Sequence, residues 1–216
     1  MSLIDATELA IANELFGASA FAADATLYAA LFTTVPADDG SGGTEANYTN
    51  YARVSITNNL TNFPSANPKL NGTAIAFPAA GAAQTGKAKA LGFFTASSGG
   101  TLRAIARLCD QVRPMAIGLN TGDIIHCDAA HGWAADDLVV VWAPAGVTLP
   151  TGLSADTEYY VRAPSGNNLQ LAATAGGAAI AITADGGMII ARSRHATIGI
   201  GDTPSVAISG FSMTFD

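Results

Sequence analysis

The stretch Gly201–Asp216 reads GDTPSVAISGFSMTFD, and the fold can be argued outward from it. Gly201-Asp202-Thr203-Pro204 predicts a tight turn, because these residue types favour turn conformations. An alternating run follows, with the apolar members Val206, Ile208, Phe211, Met213 and Phe215. A period of two is typical of a strand that buries one face. We therefore expect a closing strand of a β domain, whose partners lie earlier in the chain.

The N-terminal segment Ser2–Phe16 predicts a helix, with Ser2 as its cap and Gly17 as its stop. Its apolar stripe has roughly helical spacing and consists of Ile4, Leu9, Ile11, Ala12, Leu15 and Phe16. The stripe packs either on the β domain of its own chain or on a neighbouring subunit. In the second case Leu9, Leu15 and Phe16 are candidate assembly contacts.

Several strands are expected between the helix and residue 114. They are predicted at Leu27–Thr33, Tyr51–Thr57, Thr73–Pro78, Lys87–Ala96 and Thr101–Cys109. Ser97–Gly100 predicts the hairpin loop between the last two. The polar, Pro- and Gly-containing stretches Thr34–Asn50 and Asn58–Gly72 predict long surface loops.

Residues 115–192 have a different character and predict a domain of their own. Short strands alternate with Gly-containing turns and are expected at Asp123–Asp128, Leu138–Ala143, Glu158–Ala163, Asn168–Ala172 and Gly187–Ala191. Their spacing indicates a small β barrel or sandwich. His195–Ile200 then resumes the first domain and leads into the closing strand.

Composition excludes several classes of protein. Of the 216 residues 49% are hydrophobic and 12% are charged, against about 25% charged in typical soluble domains. The net charge is −7 and no basic run occurs, which argues against nucleic-acid binding. No apolar run approaches the length of about 20 residues that a membrane span needs. Cys109 and Cys127 are either paired or two free thiols, and the sequence favours free thiols.

Candidate chemistry is sparse, and we expect no catalytic residue, cofactor or metal. The ligand-like residues are His126, Cys127 and His131 with Asp128, Asp136 and Asp137. His126 and Cys127 are adjacent, however, and adjacent residues of a strand point to opposite faces, so one of them would be lost to a common site. No nucleophile elbow or phosphate-binding Gly loop occurs. His131 and Trp133 are candidates for surface recognition, for example of carbohydrate. The alternative, which we favour, places the aromatic side chains in the core of a small barrel.

Several separated motifs, in a fixed order, resemble a set of tailed-bacteriophage virion proteins described as tail-fibre, decoration or structural proteins. The motifs are Leu27–Pro36, Gly42–Glu45, Tyr51–Val54, Ala90–Leu102 and Gly201–Val206. The resemblance covers residues 1–112 and 195–216, and residues 115–192 replace a short linker of that pattern. The insert itself is similar to a mobile phage β module. The resemblance implies a structural role in the virion.

We accordingly expect a mainly β protein. Residues 1–114 and 193–216 form a β-sandwich, jelly-roll-like domain with an N-terminal helix, and residues 115–192 form the inserted domain. The expected function is that of a non-enzymatic capsid decoration or cement protein on the outer head surface. Alternatives are a tail-fibre, tail-tip or head–tail adaptor component, or a host-surface carbohydrate-binding module.

The expected partners are other copies of the chain, with a trimer favoured, and the major capsid protein or other virion proteins. Nucleic acid and membrane are not expected partners. Tyr48 and Tyr51, which flank a polar loop, join Leu9, Leu15 and Phe16 as candidate assembly contacts.

Overall fold

The fold, taken from a computed structural model that describes residues 2–17, 20–65 and 68–213, is mainly β with one α-helix near the N-terminus. This confirms the expected fold class. The chain divides into two compact units. We call Met1–Leu108 with His195–Asp216 the sheet unit, and Cys109–Arg194 the barrel unit.

The sheet unit contains one α-helix and short to medium strands. In chain order they are β1 (Ser2–Leu3), α1 (Asp5–Phe16), β2 (Thr26–Thr34), β3 (Thr44–Glu45), β4 (Val54–Thr57), β5 (Lys69–Leu70), β6 (Ile75–Ala76), β7 (Ala90–Phe94), β8 (Leu102–Arg107), β15 (Ser205–Val206) and β16 (Ser212–Met213). The main sheet is antiparallel, with the order β1-β8-β7-β2-β3, and β4 also pairs with β2. One edge of β2 is therefore shared by β4 and β3 in succession.

Both faces of β2 are buried. Ala29 and Leu31 point into one core and Ala30 and Phe32 into another, and each is at most 4% exposed. A strand that is covered on both faces needs apolar residues at successive positions rather than in alternation. Burial on both faces therefore explains the apolar run at residues 27–33, from which a strand was predicted.

A second β layer covers one face of the main sheet. β5 pairs with β16, and β6 pairs with β15. Ile75, Phe77 and Phe211 from this layer share a core with Leu91 and Phe93 of the main sheet. The rings of Phe93 and Phe211 lie 5.3 Å apart between centroids. Two β layers around one apolar core give the sheet unit its sandwich-like packing.

The expected uninterrupted closing strand is wrong. β15 and β16 are separated by an exposed turn in which Ser209 has a φ of +57° and Ile208 is 63% exposed. The side chain of Asn71 explains the break, because its amide donates to the carbonyl of Ala207 and its oxygen accepts from the amide of Phe211. These bonds hold the turn that contains Ser209 against the segment that contains Asn71. Phe215 lies outside the described residues.

The turn expected at Gly201–Pro204 lies about two residues earlier, where the amide of Asp202 donates to the carbonyl of Gly199 at 3.2 Å. Gly201 has a φ of +83°, which glycine adopts at little cost. The Asp202 carboxylate accepts the amide of Gly199 at 2.7 Å and closes the turn. The amide of Gly201 donates to the carbonyl of Ala80, and the amide of Ala80 donates to the carbonyl of Asp202. The returning chain is thereby fixed beside residues 75–88.

The helix is confirmed, but its start is not. Ser2 and Leu3 pair with Ile105 and Ala104 of β8, so the helix begins at Asp5. Ile4 is the N-cap residue and has no side-chain capping hydrogen bond. The expected stop at Gly17 is correct, and its amide donates to the carbonyl of Asn13 at 2.8 Å.

The barrel unit is a closed antiparallel barrel with the strand order β10-β13-β12-β11-β14-β9. Its strands are β9 (Cys109–Leu119), β10 (Ile124–His126), β11 (Leu138–Trp142), β12 (Glu158–Ser165), β13 (Asn168–Ala172) and β14 (Gly186–Ser193), with a 3-10 helix at Thr121–Asp123. Of the two architectures that the sequence left open, the barrel is the one formed. Five of its strands lie where the sequence predicted them.

Strand β9 was missing from the sequence-based prediction, because Pro114 interrupts the pattern. The register between β14 and β9 shifts between Met188 and Ile190, which places Pro114 and Met115 opposite Ile189. This is a β-bulge, and a bulge tolerates a residue that has no backbone N–H to donate.

The two cysteines are not joined by a disulfide. Cys127 is fully buried in the barrel core. Burial, helped by the Asp128 carboxylate, raises the pKa of its thiol to about 11, so the group behaves as a small apolar side chain. Among the described residues no helix is long and apolar enough to cross a membrane.

We expect the sheet unit to fold without the barrel unit. Cys109 and Ser193 lie opposite each other in the β9–β14 pair, so their Cα atoms are about 4.5–5.5 Å apart. A short Gly/Ser linker can therefore join Leu108 directly to His195. The shortened chain should keep a β-type far-UV circular dichroism spectrum and unfold cooperatively in urea.

Residues 109–194, expressed alone, provide the matched test of the barrel unit. They should also unfold cooperatively, because the strands close on themselves. A shortened chain with a random-coil spectrum would show that the sheet unit depends on the insert.

Candidate functional site

Two of the motif segments meet at the shared edge of β2. Between the end of the β4 pairing at Ala29 and the start of the β3 pairing at Phe32, the amide of Leu31 has no neighbouring strand on that side. The hydroxyl of Tyr51 accepts that amide at 3.0 Å and donates to Oε1 of Glu45 at 2.7 Å. The side chain thus replaces a missing strand residue, which satisfies a donor that burial would otherwise leave unpaired.

Arg53 extends this arrangement to the hairpin loop between β7 and β8. Its guanidinium makes a bidentate ion pair with Glu45, with N–O distances of 2.7–3.1 Å. Nη1 donates to the carbonyls of Ala96 and Gly99 at 2.8 and 2.7 Å. The guanidinium carbon also lies 3.5 Å from the centroid of the Phe94 ring. One side chain therefore ties together two loops and the end of a strand.

The Glu45–Tyr51–Arg53 network has a structural role. The Arg53 side chain is 9% exposed and the Glu45 side chain 26%, so both charges are largely withdrawn from water. Such a pair is tolerated when the geometry is bidentate and further hydrogen bonds satisfy the donors. Burial, with a contribution from the Glu45 carboxylate, raises the pKa of Tyr51 well above its ordinary value of about 10. The phenol therefore keeps its proton at neutral pH.

Tyr48 and Tyr51 contribute to the core of the sheet unit. Tyr48 is 4% exposed, and its hydroxyl donates to the carbonyl of Pro78 at 3.0 Å. The two rings pack edge to face with centroids 5.2 Å apart. Any assembly contact at this position would have to be made by other residues of the loop, because these rings are already covered.

The three candidate contacts on α1 have the opposite environment. Leu9, Leu15 and Phe16 are 61%, 69% and 90% exposed. Thr7, in the first turn, is the buried residue of the helix. These three members of the apolar stripe are therefore uncovered in the single chain, whereas Ile4 is buried, and the expectation that the stripe packs on its own β domain is wrong for these three residues. Solvent-exposed apolar side chains of this size are typical of a surface that meets a partner.

His131 and Trp133 lie inside the barrel unit, each 4% exposed. Nδ1 of His131 accepts the amide of Trp133 at 3.0 Å, and Nε2 donates to the carbonyl of Asn168 at 3.2 Å. The indole Nε1 of Trp133 donates to Oε1 of Gln111 at 2.8 Å. Both rings stabilise the turn and the core, and neither offers a face for stacking on a sugar.

The ligand-like residues near position 126 are not brought together. The side chain of Cys127 is buried, whereas His126 is exposed and its Nδ1 contacts Oδ1 of Asn168 at 2.7 Å. In the part of the chain that the structure describes, no group of three or more His, Cys, Asp or Glu side chains is arranged to hold a metal ion.

Sequence reasoning missed Glu45 and Arg53 as functional partners of Tyr51. A signal was present, because both residues lie in motif segments of a chain with few charges. An acid and a base within eight residues of each other, beside an apolar strand, are candidates for a buried pair. The contact of Arg53 with the hairpin loop 43 and 46 residues away has no such signal.

We expect Tyr51→Phe to destabilise the sheet unit by about 1–3 kcal/mol, because it leaves the buried amide of Leu31 without an acceptor. Tyr28→Phe is the matched control, since Tyr28 lies on β2 with its hydroxyl outside the network. It should change the free energy of unfolding by less than about 0.5 kcal/mol. Urea denaturation of both variants measures the difference, and equal effects would contradict the role given to Tyr51.

We also expect the stability of the protein to fall at alkaline pH. Because the folded-state pKa of Tyr51 is raised, and burial raises that of Tyr48 too, the stabilisation is complete below the ordinary pKa of about 10 and is lost as pH rises above it. Each such group costs about 1.4 kcal/mol per pH unit. Absorbance at 295 nm should show two phenols that ionise only with unfolding. Early ionisation of all five tyrosines would contradict this.

A comparison with protein-family models agrees with these motifs. The model described as Podophage GP4 fiber I protein gp80 matches residues 2–130, which is more than half of the chain and runs from β1 through β10. No curated protein matches the chain. The resemblance to tailed-phage virion proteins and the expected location in the virion are both confirmed. The chain therefore belongs to the podophage GP4 fiber I protein gp80 family, a family of fibre-type structural proteins of the phage virion.

Proposed function

We propose that the chain is a non-enzymatic structural component of the virion fibre, and that it is held in the particle as a homo-oligomer by contacts of α1. The exposure of Leu9, Leu15 and Phe16 carries this proposal. α1 presents these side chains to solvent over about two turns. In this homo-oligomer another copy of the chain would cover them.

The energetics favour a contact at this face. Complete burial of a large apolar side chain is worth about 1.5–3 kcal/mol, and more than half of each of the three is uncovered. Association must also offset about 4–15 kcal/mol of lost translational and rotational freedom. The three side chains are therefore anchors of a larger surface, to which the exposed parts of the long loops would add.

The polar network supports the non-enzymatic part of the proposal. The Glu45 carboxylate accepts from Tyr51 and Arg53, and the Arg53 guanidinium is bonded to Glu45 and to two carbonyls. A general acid must be able to donate a proton to a substrate, and a general base must be able to accept one from it. These groups are instead committed to one another and to the backbone.

Decoration of the capsid shell is a second candidate. It is favoured by the charged fraction of 12%, since a surface that is partly covered by a shell and by neighbouring copies needs few charges. The number of copies per particle separates the two functions. A shell-decorating protein occurs in hundreds of copies, and a fibre component in a few to a few dozen.

The decisive measurement is the molar ratio of this chain to the major capsid protein in purified particles, by quantitative mass spectrometry with labelled peptides. We expect the ratio of a fibre component. A ratio close to one copy for each capsid subunit would contradict the fibre function and favour decoration of the capsid shell.

We expect the double variant Leu15→Ser/Phe16→Ser to be incorporated into particles at least about tenfold less than the parent chain. By the tenfold-per-1.4-kcal/mol relation, this corresponds to the loss of one well-buried contact. Particles would be made from a phage that lacks the gene and is complemented by the variant. Ile200→Ser is the control, because Ile200 is 75% exposed but lies outside α1. Equal incorporation of both variants, with unchanged circular dichroism, would show that α1 is not part of the contact surface.

A further inference from the structure

A buried asparagine joins the segment after β5 to the turn between β15 and β16. Asn71 is 1% exposed. Its Nδ2 donates to the carbonyls of Thr73 at 2.9 Å and Ala207 at 2.7 Å, and its Oδ1 accepts the amide of Phe211 at 3.0 Å. Its backbone carbonyl accepts the amide of Ser209 at 2.9 Å. Both hydrogens of the side-chain amide are therefore used to hold the chain together.

The residue that follows Asn71 has to be glycine. A Cβ atom on Gly72 would lie 2.1 Å from the carbonyl oxygen of Thr61 and 3.0 Å from Cδ of Pro64. Only a residue without a side chain fits so close an approach. The amide of Gly72 also donates to the carbonyl of Asn62 at 2.7 Å. The fold thus requires asparagine at one position and glycine at the next.

An Asn-Gly pair is chemically labile. After the backbone nitrogen of the glycine loses its proton to solvent base, it can attack Cγ of the asparagine. The new C–N bond closes a five-membered succinimide, the Cγ–Nδ2 bond breaks, and Nδ2 leaves as ammonia with a proton that the solvent returns. Water then opens the ring to aspartate or isoaspartate. Glycine favours the attack because it has no side chain to hinder it.

The turn at residues 207–211, which we call the Ser209 turn, prevents this reaction while it is closed. The side chain of Asn71 cannot rotate its Cγ towards the nitrogen of Gly72 without breaking the bonds to Ala207 and Phe211. Burial also keeps water and base away from the side chain. Deamidation therefore requires the turn to open first.

We propose that Asn71 is a self-modification site, at which deamidation by the nitrogen of Gly72 follows the opening of the Ser209 turn and makes that opening permanent. The reaction needs no partner other than water. It converts a reversible local opening, of the kind that folded proteins undergo continually, into an irreversible loss of the closed state. The lifetime of the sheet unit is then limited by this turn rather than by global unfolding.

The closed state cannot form again from either product. An aspartate at position 71 has no hydrogen to donate, so its carboxylate would face the carbonyls of Thr73 and Ala207 with acceptor against acceptor. Isoaspartate adds one carbon to the backbone, directly beside the close contact between Gly72 and Thr61. Phe211, which is 6% exposed in the closed state, then loses its place in the core.

The first test compares the deamidation rate of Asn71 in the full chain with the rate in a synthetic peptide of residues 68–76, by peptide mass spectrometry at mildly alkaline pH. The rate in the full chain equals the peptide rate multiplied by the open fraction, so we expect it to be at least about 100-fold lower. Low concentrations of urea should raise it less steeply than they raise global unfolding. A rate equal to that of the peptide, or one that follows global unfolding, would overturn the inference.

The variant Phe211→Leu tests whether the Ser209 turn is the gate. It removes part of the packing that closes the turn and should speed the deamidation of Asn71 about tenfold. Ile208→Ala is the matched control, because Ile208 belongs to the same turn but is 63% exposed. It should leave the rate unchanged. Equal rates in the two variants would contradict the role of the turn.

The variant Asn71→Asp tests permanence. It keeps an oxygen that can accept the amide of Phe211 and removes the two donors. The Lys69–Leu70 bond lies in β5, which pairs with β16, so trypsin can cut it only when β16 has left. We expect the parent chain to resist cleavage at this bond and the variant to be cut at least about tenfold faster.

Asn59→Asp is the control for the added charge. The side chain of Asn59 accepts the amides of Thr61 and Asn62 through Oδ1, a role that a carboxylate also fills. This variant should be cut at the same rate as the parent chain. Equal cleavage of Asn71→Asp and the parent chain would show that deamidation does not hold the turn open, and the inference would fail.

Discussion

The buried amide of Leu31 is the constraint on which the sheet unit depends. β2 is the strand around which the main sheet is built, yet one of its edges is covered by two short strands with a gap between them. An unpaired amide in this position would cost about 1–3 kcal/mol. Tyr51 supplies the acceptor, Glu45 orients Tyr51, and Arg53 neutralises Glu45 while holding the β7–β8 loop. The network that fills the gap in one strand pairing thus also fixes two loops, β3–β4 and β7–β8.

The barrel unit interrupts the chain of the sheet unit at a small cost in free energy. The chain enters the barrel on β9 and leaves on β14, and these strands pair with each other, so entry and exit lie side by side. A closed domain inserted in this way costs little loop-closure free energy, because its ends are already together when it has folded. The turn at Gly201–Asp202 then returns the chain to residues 75–88 through backbone hydrogen bonds.

The surface candidates show where sequence reasoning reaches its limit. Tyr48 lies in a polar stretch that predicted an exposed loop. His131 and Trp133 were candidates for surface recognition, although a barrel core was the favoured place for the aromatic side chains. Each of the three is 4% exposed, and its polar atom reaches a backbone or amide partner inside the unit. Leu9, Leu15 and Phe16 are apolar, yet they remain outside. Aromatic residues that carry a polar group occur both in cores and at surfaces. Composition alone therefore does not distinguish a recognition surface from a core.

The sequence by itself determined the β class, the N-terminal helix, the positions of ten of the sixteen strands found among the described residues and the membership of a phage virion family, because these depend on local periodicity, turn residues and ordered motifs. Tertiary structure alone decided that the last segment is two short strands rather than one, that Pro114 lies in a bulge, and that Glu45, Tyr51 and Arg53 converge. The physical reason is that register, bulges and buried polar pairs arise from contacts between residues far apart in the chain, and such contacts leave no periodic trace in the sequence.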